Sequence, residues 1–120
     1  SPGATHTLIS ATNEFDLPLL PGAATATEAM SLLEQGFTFQ KFFPAEAAGG
    51  ASALGALAGP LPQITFCPTG GITPKNAKDY LALPNTLCVG GSWIAPKALI
   101  VAGAWDEITK IARRAAGLLR

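Results

Sequence analysis

Apolar and polar positions along this chain follow two rhythms that replace one another at regular intervals. From Thr25 to Gln35 the apolar residues Ala29, Leu32 and Leu33 recur at helical spacing and share one face, and Gly36 supplies a stop. Phe39–Phe43 is a short, dense apolar run closed by Pro44, which reads as a strand. The same reasoning predicts a helix over about Thr5–Asn13 with Thr5 as its cap, and a strand over Leu17–Leu20 closed by Pro21-Gly22. It then predicts a helix over Gly50–Ala58, a strand over Gln63–Cys67 and a helix opened by Thr73-Pro74 and running to about Leu83. A strand over Thr86–Val89 and a helix over about Ala104–Leu119 complete the series, and Ser1-Pro2-Gly3 reads as a loop leaving an earlier strand.

The pattern is four consecutive βα units. Such alternation implies a parallel sheet with helices as crossovers. Two architectures fit: an open doubly wound sheet, or half of a (β/α)₈ TIM barrel. A complete barrel needs about 200 residues or more, so four units in 120 residues are the size of a half. The loops rich in Gly, Pro and Thr all follow strands, as active-site loops do in both architectures.

Composition sharpens this picture. Apolar residues make up 48% of the chain and charged residues only 13%, against about 25% charged in an ordinary globular domain. So oily a chain fits a buried parallel sheet or a piece of a larger core. Formal net charge is zero, so bulk charge favours neither nucleic acid nor an anionic membrane. The basic cluster Arg113, Arg114 and Arg120 reads as a solvated helix face. There is no charged-then-apolar leader and no apolar run of about 18 residues, so neither a signal peptide nor a membrane span is expected. Cys67 and Cys88 lack ligand-like spacing, and a reduced, cytoplasmic setting with buried thiols is the expectation. The chain begins with Ser1, so its natural start is expected to be processed, engineered or missing.

Two features carry chemistry. Lys41 sits within the apolar strand Phe39-Gln40-Lys41-Phe42-Phe43, where alternation gives it the same face as Phe43 and sends Phe42 to the other. If both faces are buried, desolvation lowers a lysine pKa, to about 7–8 at a working site, and the neutral amine can attack a ketone. The bland alternative is a lysine at a strand edge or one snorkelling past Phe42 into water. The second feature is Cys67-Pro68-Thr69-Gly70-Gly71-Ile72-Thr73-Pro74, a strand end, two glycines and a helix start, repeated in outline by Gly90-Gly91-Ser92-Trp93. Glycines and helix N-termini let backbone N–H groups approach an anion, and barrels place phosphate in such loops. A pair of tight turns is the competing reading.

Lys41-Phe42-Phe43-Pro44-Ala45-Glu46, Phe66-Cys67-Pro68-Thr69-Gly70-Gly71-Ile72 and Val89-Gly90-Gly91-Ser92-Trp93 resemble the bacterial KDPG/KHG aldolase family, as do Pro18-Leu19-Leu20-Pro21-Gly22 and Tyr80-Leu81-Ala82-Leu83-Pro84. The resemblance runs from Ser1 to near Arg120. It implies the C-terminal half of a (β/α)₈ barrel that is a homotrimer when complete. The implied activity is class I cleavage of 2-keto-3-deoxy-6-phosphogluconate to pyruvate and glyceraldehyde 3-phosphate, in the Entner–Doudoroff pathway. No cofactor and no metal are implied, because a protonated imine is the electron sink. By the same resemblance Lys41 is the Schiff-base lysine, Phe43 lines the pyruvate pocket and Pro21 borders it. Gly70, Gly71 and Ser92 bind the substrate phosphate, with Thr69 beside them. The family's general base, a glutamate on an early strand, has no counterpart position here. Glu46 lies five residues from Lys41, about 16 Å along an extended strand, and reads as a loop carboxylate that positions neighbours.

Two readings of function therefore stand beside each other. In the first, the chain is part of a complete aldolase. In the second, it is an isolated or engineered half-barrel, structural or phosphate-binding, with little aldolase activity. A weaker third is another phosphate-handling barrel, such as a relative of the thiamine phosphate synthases. A half-barrel exposes sheet edges that invite pairing, so self-association is expected, with an open, flavodoxin-like sheet as the other outcome. His6 reads as a surface residue, and Trp93 and Trp105 read as packing anchors.

Overall fold

The computed structural model describes residues 1–119, without the side chain of Leu119; Arg120 lies outside the described residues. The chain forms an α/β fold around a small parallel sheet. In order it runs α1 (His6–Glu14), β1 (Gly22–Ala23), α2 (Ala26–Glu34), β2 (Phe39–Phe42), α3 (Gly50–Ala56), β3 (Thr65–Pro68), α4 (Ala77–Leu81), α5 (Lys97–Val101) and α6 (Trp105–Ala116). A 3₁₀ turn at Ser92–Ile94 precedes α5, and another follows α6. The strands lie in the order β1-β2-β3, all parallel.

Capping chemistry explains the first two helices. The Thr5 hydroxyl accepts from the Leu8 amide at 3.2 Å. Thr25 and Glu28 form a reciprocal capping box: Thr25 Oγ1 accepts from the Glu28 amide, and the Glu28 carboxylate accepts from the Thr25 amide. The Thr73-Pro74 start is looser than expected. Residues 73–76 make a turn in which Asn76 Oδ1 accepts from the Thr73 amide at 2.7 Å, and regular helix begins only at Ala77.

The sheet is asymmetric. On one face Gln40, Phe42 and Phe66 are buried against the helices, with Ile9, Ala29, Leu32, Leu54 and Tyr80 completing the core. Phe42 and Phe66 meet edge to face with centroids 6.3 Å apart. The other face carries Lys41 and Cys67, which pair in register. Gln40 is the unexpected core member: its amide nitrogen donates to the Ala29 and Phe37 carbonyls at 3.0 and 2.9 Å, tying β2 to α2.

Three sequence expectations are corrected. The strand placed at Leu17–Leu20 lies later, at Gly22–Ala23. Leu17 is 59% exposed, and the ladder starts where the Pro21 carbonyl accepts from the Lys41 amide at 2.8 Å and the Ala23 carbonyl accepts from the Phe43 amide at 3.1 Å. The strand placed at Thr86–Val89 is reduced to two isolated parallel bridges, Phe66 with Thr86 and Thr69 with Gly90. Phe66 and Thr69 are three residues apart but Thr86 and Gly90 four, so the pairing slips by one residue and no continuous ladder forms. Trp105 is no packing anchor, being 62% exposed, whereas Trp93 packs on the core. No helix among the described residues is long and apolar enough to cross a membrane.

Candidate active site

Strand β2 presents Lys41 on the face away from the helices, half-buried rather than enclosed. Its register neighbours are Gly22 and Cys67, and the Ser1-Pro2 backbone fills the space that Gly22 leaves beside it. The ammonium lies 5.1 Å from the centroid of the Phe43 ring, the same-face neighbour two residues on. Lys41 opens into a cleft of about 1000 Å³, lined also by Phe43, Thr69, Gly70, Gly71, Gly90, Gly91, Ser92 and Trp93.

Six of the seven residues singled out in the sequence therefore line one cleft: Lys41, Phe43, Thr69, Gly70, Gly71 and Ser92. Pro21 is the exception. Its side chain is fully buried and does not line the cleft, and its carbonyl instead anchors the Lys41 amide.

The loop after β3 turns sharply because Gly70 and Gly71 have φ of +94° and +78°, a region costly for any residue with a Cβ. A Cβ on Gly70 would lie 3.1 Å from the Phe43 ring and the Pro44 Cα. The Thr69 and Gly70 carbonyls accept from the Ala45 and Glu46 amides at 2.8 and 3.1 Å, which joins this loop to the segment after Lys41. The Thr69 hydroxyl is buried with no protein partner, while its methyl fills the space that Gly90 leaves open. Across the cleft the Trp93 indole folds over Gly91.

Glu46 does not line the cleft. It accepts a hydrogen bond from the Tyr80 hydroxyl, and burial, then that bond, push the Tyr80 phenol well above the usual tyrosine range. None of the cleft-lining residues named for the described chain is a carboxylate. Among the described residues no three of His, Cys, Asp and Glu gather as a metal-binding group. Cys67 and Cys88 are both free thiols. Cys67 is buried and its pKa is pushed up to about 12, first by burial and then by a hydrogen bond with Cys88, whereas Cys88 is exposed, against the expectation of two buried thiols.

A family model described as KDPG and KHG aldolase matches residues 1–111. The chain belongs to the KDPG and KHG aldolase family. It is 53% identical to the KHG/KDPG aldolase of Escherichia coli (strain K12) over 96% of this chain and 54% of that protein. It is 46% identical to the 2-dehydro-3-deoxy-phosphogluconate aldolase of Pseudomonas aeruginosa, over 96% of this chain and 52% of the relative. A crystal structure of KDPG aldolase from Legionella pneumophila, with pyruvate captured as a covalent carbinolamine intermediate, superposes with a TM-score of 0.90 at 48% identity, covering 96% of this chain and 56% of that one. The chain thus spans about half the length of the aldolases it matches.

The signal that sequence reading missed is the Glu46–Tyr80 pair. Both residues stand in recognisable motifs, but 34 positions separate them, and no local pattern links a loop carboxylate to a helix phenol at that distance.

Proposed function

We propose that this chain is the C-terminal half of a (β/α)₈ class I aldolase and supplies its Schiff-base nucleophile and phosphate loops. The observation that carries the reading is that Lys41 and both glycine loops open into one cleft. Lys41 attacks the C2 ketone of 2-keto-3-deoxy-6-phosphogluconate and loses water to give an iminium. A base removes the C4 hydroxyl proton, the C3–C4 bond breaks, and its electron pair flows into the iminium. Glyceraldehyde 3-phosphate leaves, and the enamine is protonated and hydrolysed to pyruvate. Gly70, Gly71 and Ser92 hold the phosphate, which sets the reacting bond over the amine, while Phe43 and Thr69 contact the remainder of the substrate.

The cleft has an amine and anion loops, but no carboxylate among its described lining. That favours a second reading for the chain by itself: a phosphate-binding scaffold with a competent nucleophile and little turnover. Borohydride reduction in the presence of pyruvate, followed by peptide mass mapping, tests the first. A pyruvate adduct on Lys41 that is lost in Lys41→Ala supports the nucleophile; no adduct leaves only the scaffold. We further propose that the chain associates through its open sheet face, a trimer being the form of the complete enzyme. A stable monomer at micromolar concentration in size-exclusion chromatography would contradict association.

A further inference from the structure

We propose that α4 clamps the Gly70-Gly71 loop, with Tyr80 and Glu46 as positioning residues for phosphate binding; the inference rests on the phosphate-binding reading of that loop. The loop needs a clamp because both glycines occupy left-handed conformations. Glycine enters that region freely but also leaves it freely, so an unbraced pair would sample many arrangements of its N–H groups. An anion site that must be ordered on binding loses affinity to that ordering.

Two arms supply the bracing, one from Asn76 at the N-cap of α4 and one from Tyr80 within it. The Asn76 side chain donates to the Gly71 carbonyl at 3.1 Å, and its own oxygen accepts from the Thr73 amide, which fixes the exit of the loop. On the other side the stem of Glu46 lies against Gly71: a Cβ there would fall 2.6 and 2.8 Å from Glu46 Cγ and Cβ. The Glu46 amide also donates to the Gly70 carbonyl. Glu46 is in turn held by the Tyr80 hydroxyl, and Tyr80 is anchored in the core at 1% exposure. Asn76 and Tyr80 are four residues apart, one turn of helix, so a short element delivers both arms to one loop. Neither Glu46 nor Tyr80 lines the cleft, so loss of the clamp acts through the loop and spares the nucleophile.

The test is titration of the ¹⁵N-labelled chain with inorganic phosphate, following the Gly70 and Gly71 amide resonances, beside pyruvate–borohydride labelling of Lys41. Tyr80→Phe removes one oxygen and is expected to raise the phosphate dissociation constant about tenfold, the worth of one good hydrogen bond. Glu46→Ala should match it, whereas Glu46→Gln, whose amide oxygen still accepts the hydroxyl, should stay within about twofold of the unmodified chain. Lys41 labelling should be retained in all three. If Tyr80→Phe does not fold, the Glu46→Ala and Glu46→Gln pair decides. Phosphate binding unchanged in Tyr80→Phe, or Glu46→Gln as weak as Glu46→Ala, overturns the clamp alone. Gly70 and Gly71 amides that ignore phosphate in the unmodified chain overturn both the clamp and the phosphate-loop reading.

Discussion

The two glycine loops share a motif but not a mode of support. Gly70-Gly71 is tied to two other parts of the chain: Glu46, through its amide and its stem, and the Asn76 side chain. Gly90-Gly91-Ser92 has one hydrogen bond to the strand, the Gly90 amide donating to the Pro68 carbonyl at 3.0 Å, and otherwise rests on the Thr69 methyl at Gly90 and the Trp93 indole folded over Gly91. Its backbone is also ordinary, since Gly91 is extended at φ −154°. Glycine repeats in a sequence can therefore serve two purposes. In one loop they permit a strained turn, and in the other they make room for a side chain.

The largest expected contrast is in stability. Gly71→Ala combines a left-handed conformation with overlap on the Glu46 stem and should cost about 2–4 kcal/mol in chemical denaturation. The second contrast is pH. Tyr80 is the single tyrosine, so its titration is read directly from tyrosinate absorbance. Its pKa is raised in the folded chain, first by burial and then by Glu46. The corresponding stability is fully present below the unfolded tyrosine value of about 10 and is lost as pH rises beyond it. Denaturation midpoints should fall above that pH in the unmodified chain and fall less in Tyr80→Phe.

Smaller effects belong to the second loop. Gly91→Ala overlaps the Trp93 ring, which is half-exposed and can shift, and sits 3.0 Å from the Ile72 carbonyl without a left-handed backbone, so its cost should be about 1–2 kcal/mol, below that of Gly71→Ala. The readout is a change in Trp93 emission, with exposed Trp105 as the constant background. A cost as large as that of Gly71→Ala would abolish the contrast. Ser92→Ala should change stability by no more than about 0.5 kcal/mol, because its hydroxyl is exposed, and yet weaken phosphate binding. Unchanged phosphate affinity would remove Ser92 from the site.

Much of this was legible in the sequence where local chemistry decides structure. Thr5 announced the first helix because capping is settled within four residues, and the spacing of Ala29, Leu32 and Leu33 announced the second. The alternation around Lys41 put it with Phe43 and opposite Phe42, as the strand does. Failures came where distant partners decide. The apolar run at Leu17–Leu20 looked like a strand, but pairing is set by where β2 can reach, at Pro21 and Ala23. Helix α5 was not foreseen, since Lys97–Val101 is a single short turn-and-a-half without a side-chain cap. Pro21 was expected at the pocket, yet its contribution is a backbone carbonyl, which no side-chain motif reports.

The central claim is that the amine and the anion loops are parts of one site. Reductive labelling with borohydride, using 2-keto-3-deoxy-6-phosphogluconate against its unphosphorylated analogue and mapping every lysine, tests it most directly. The expected result is that the phosphorylated keto acid labels Lys41 at least about tenfold faster, and that inorganic phosphate erases the preference. Equal labelling of Lys41 by the two keto acids, or a preference that phosphate does not compete away, would contradict it.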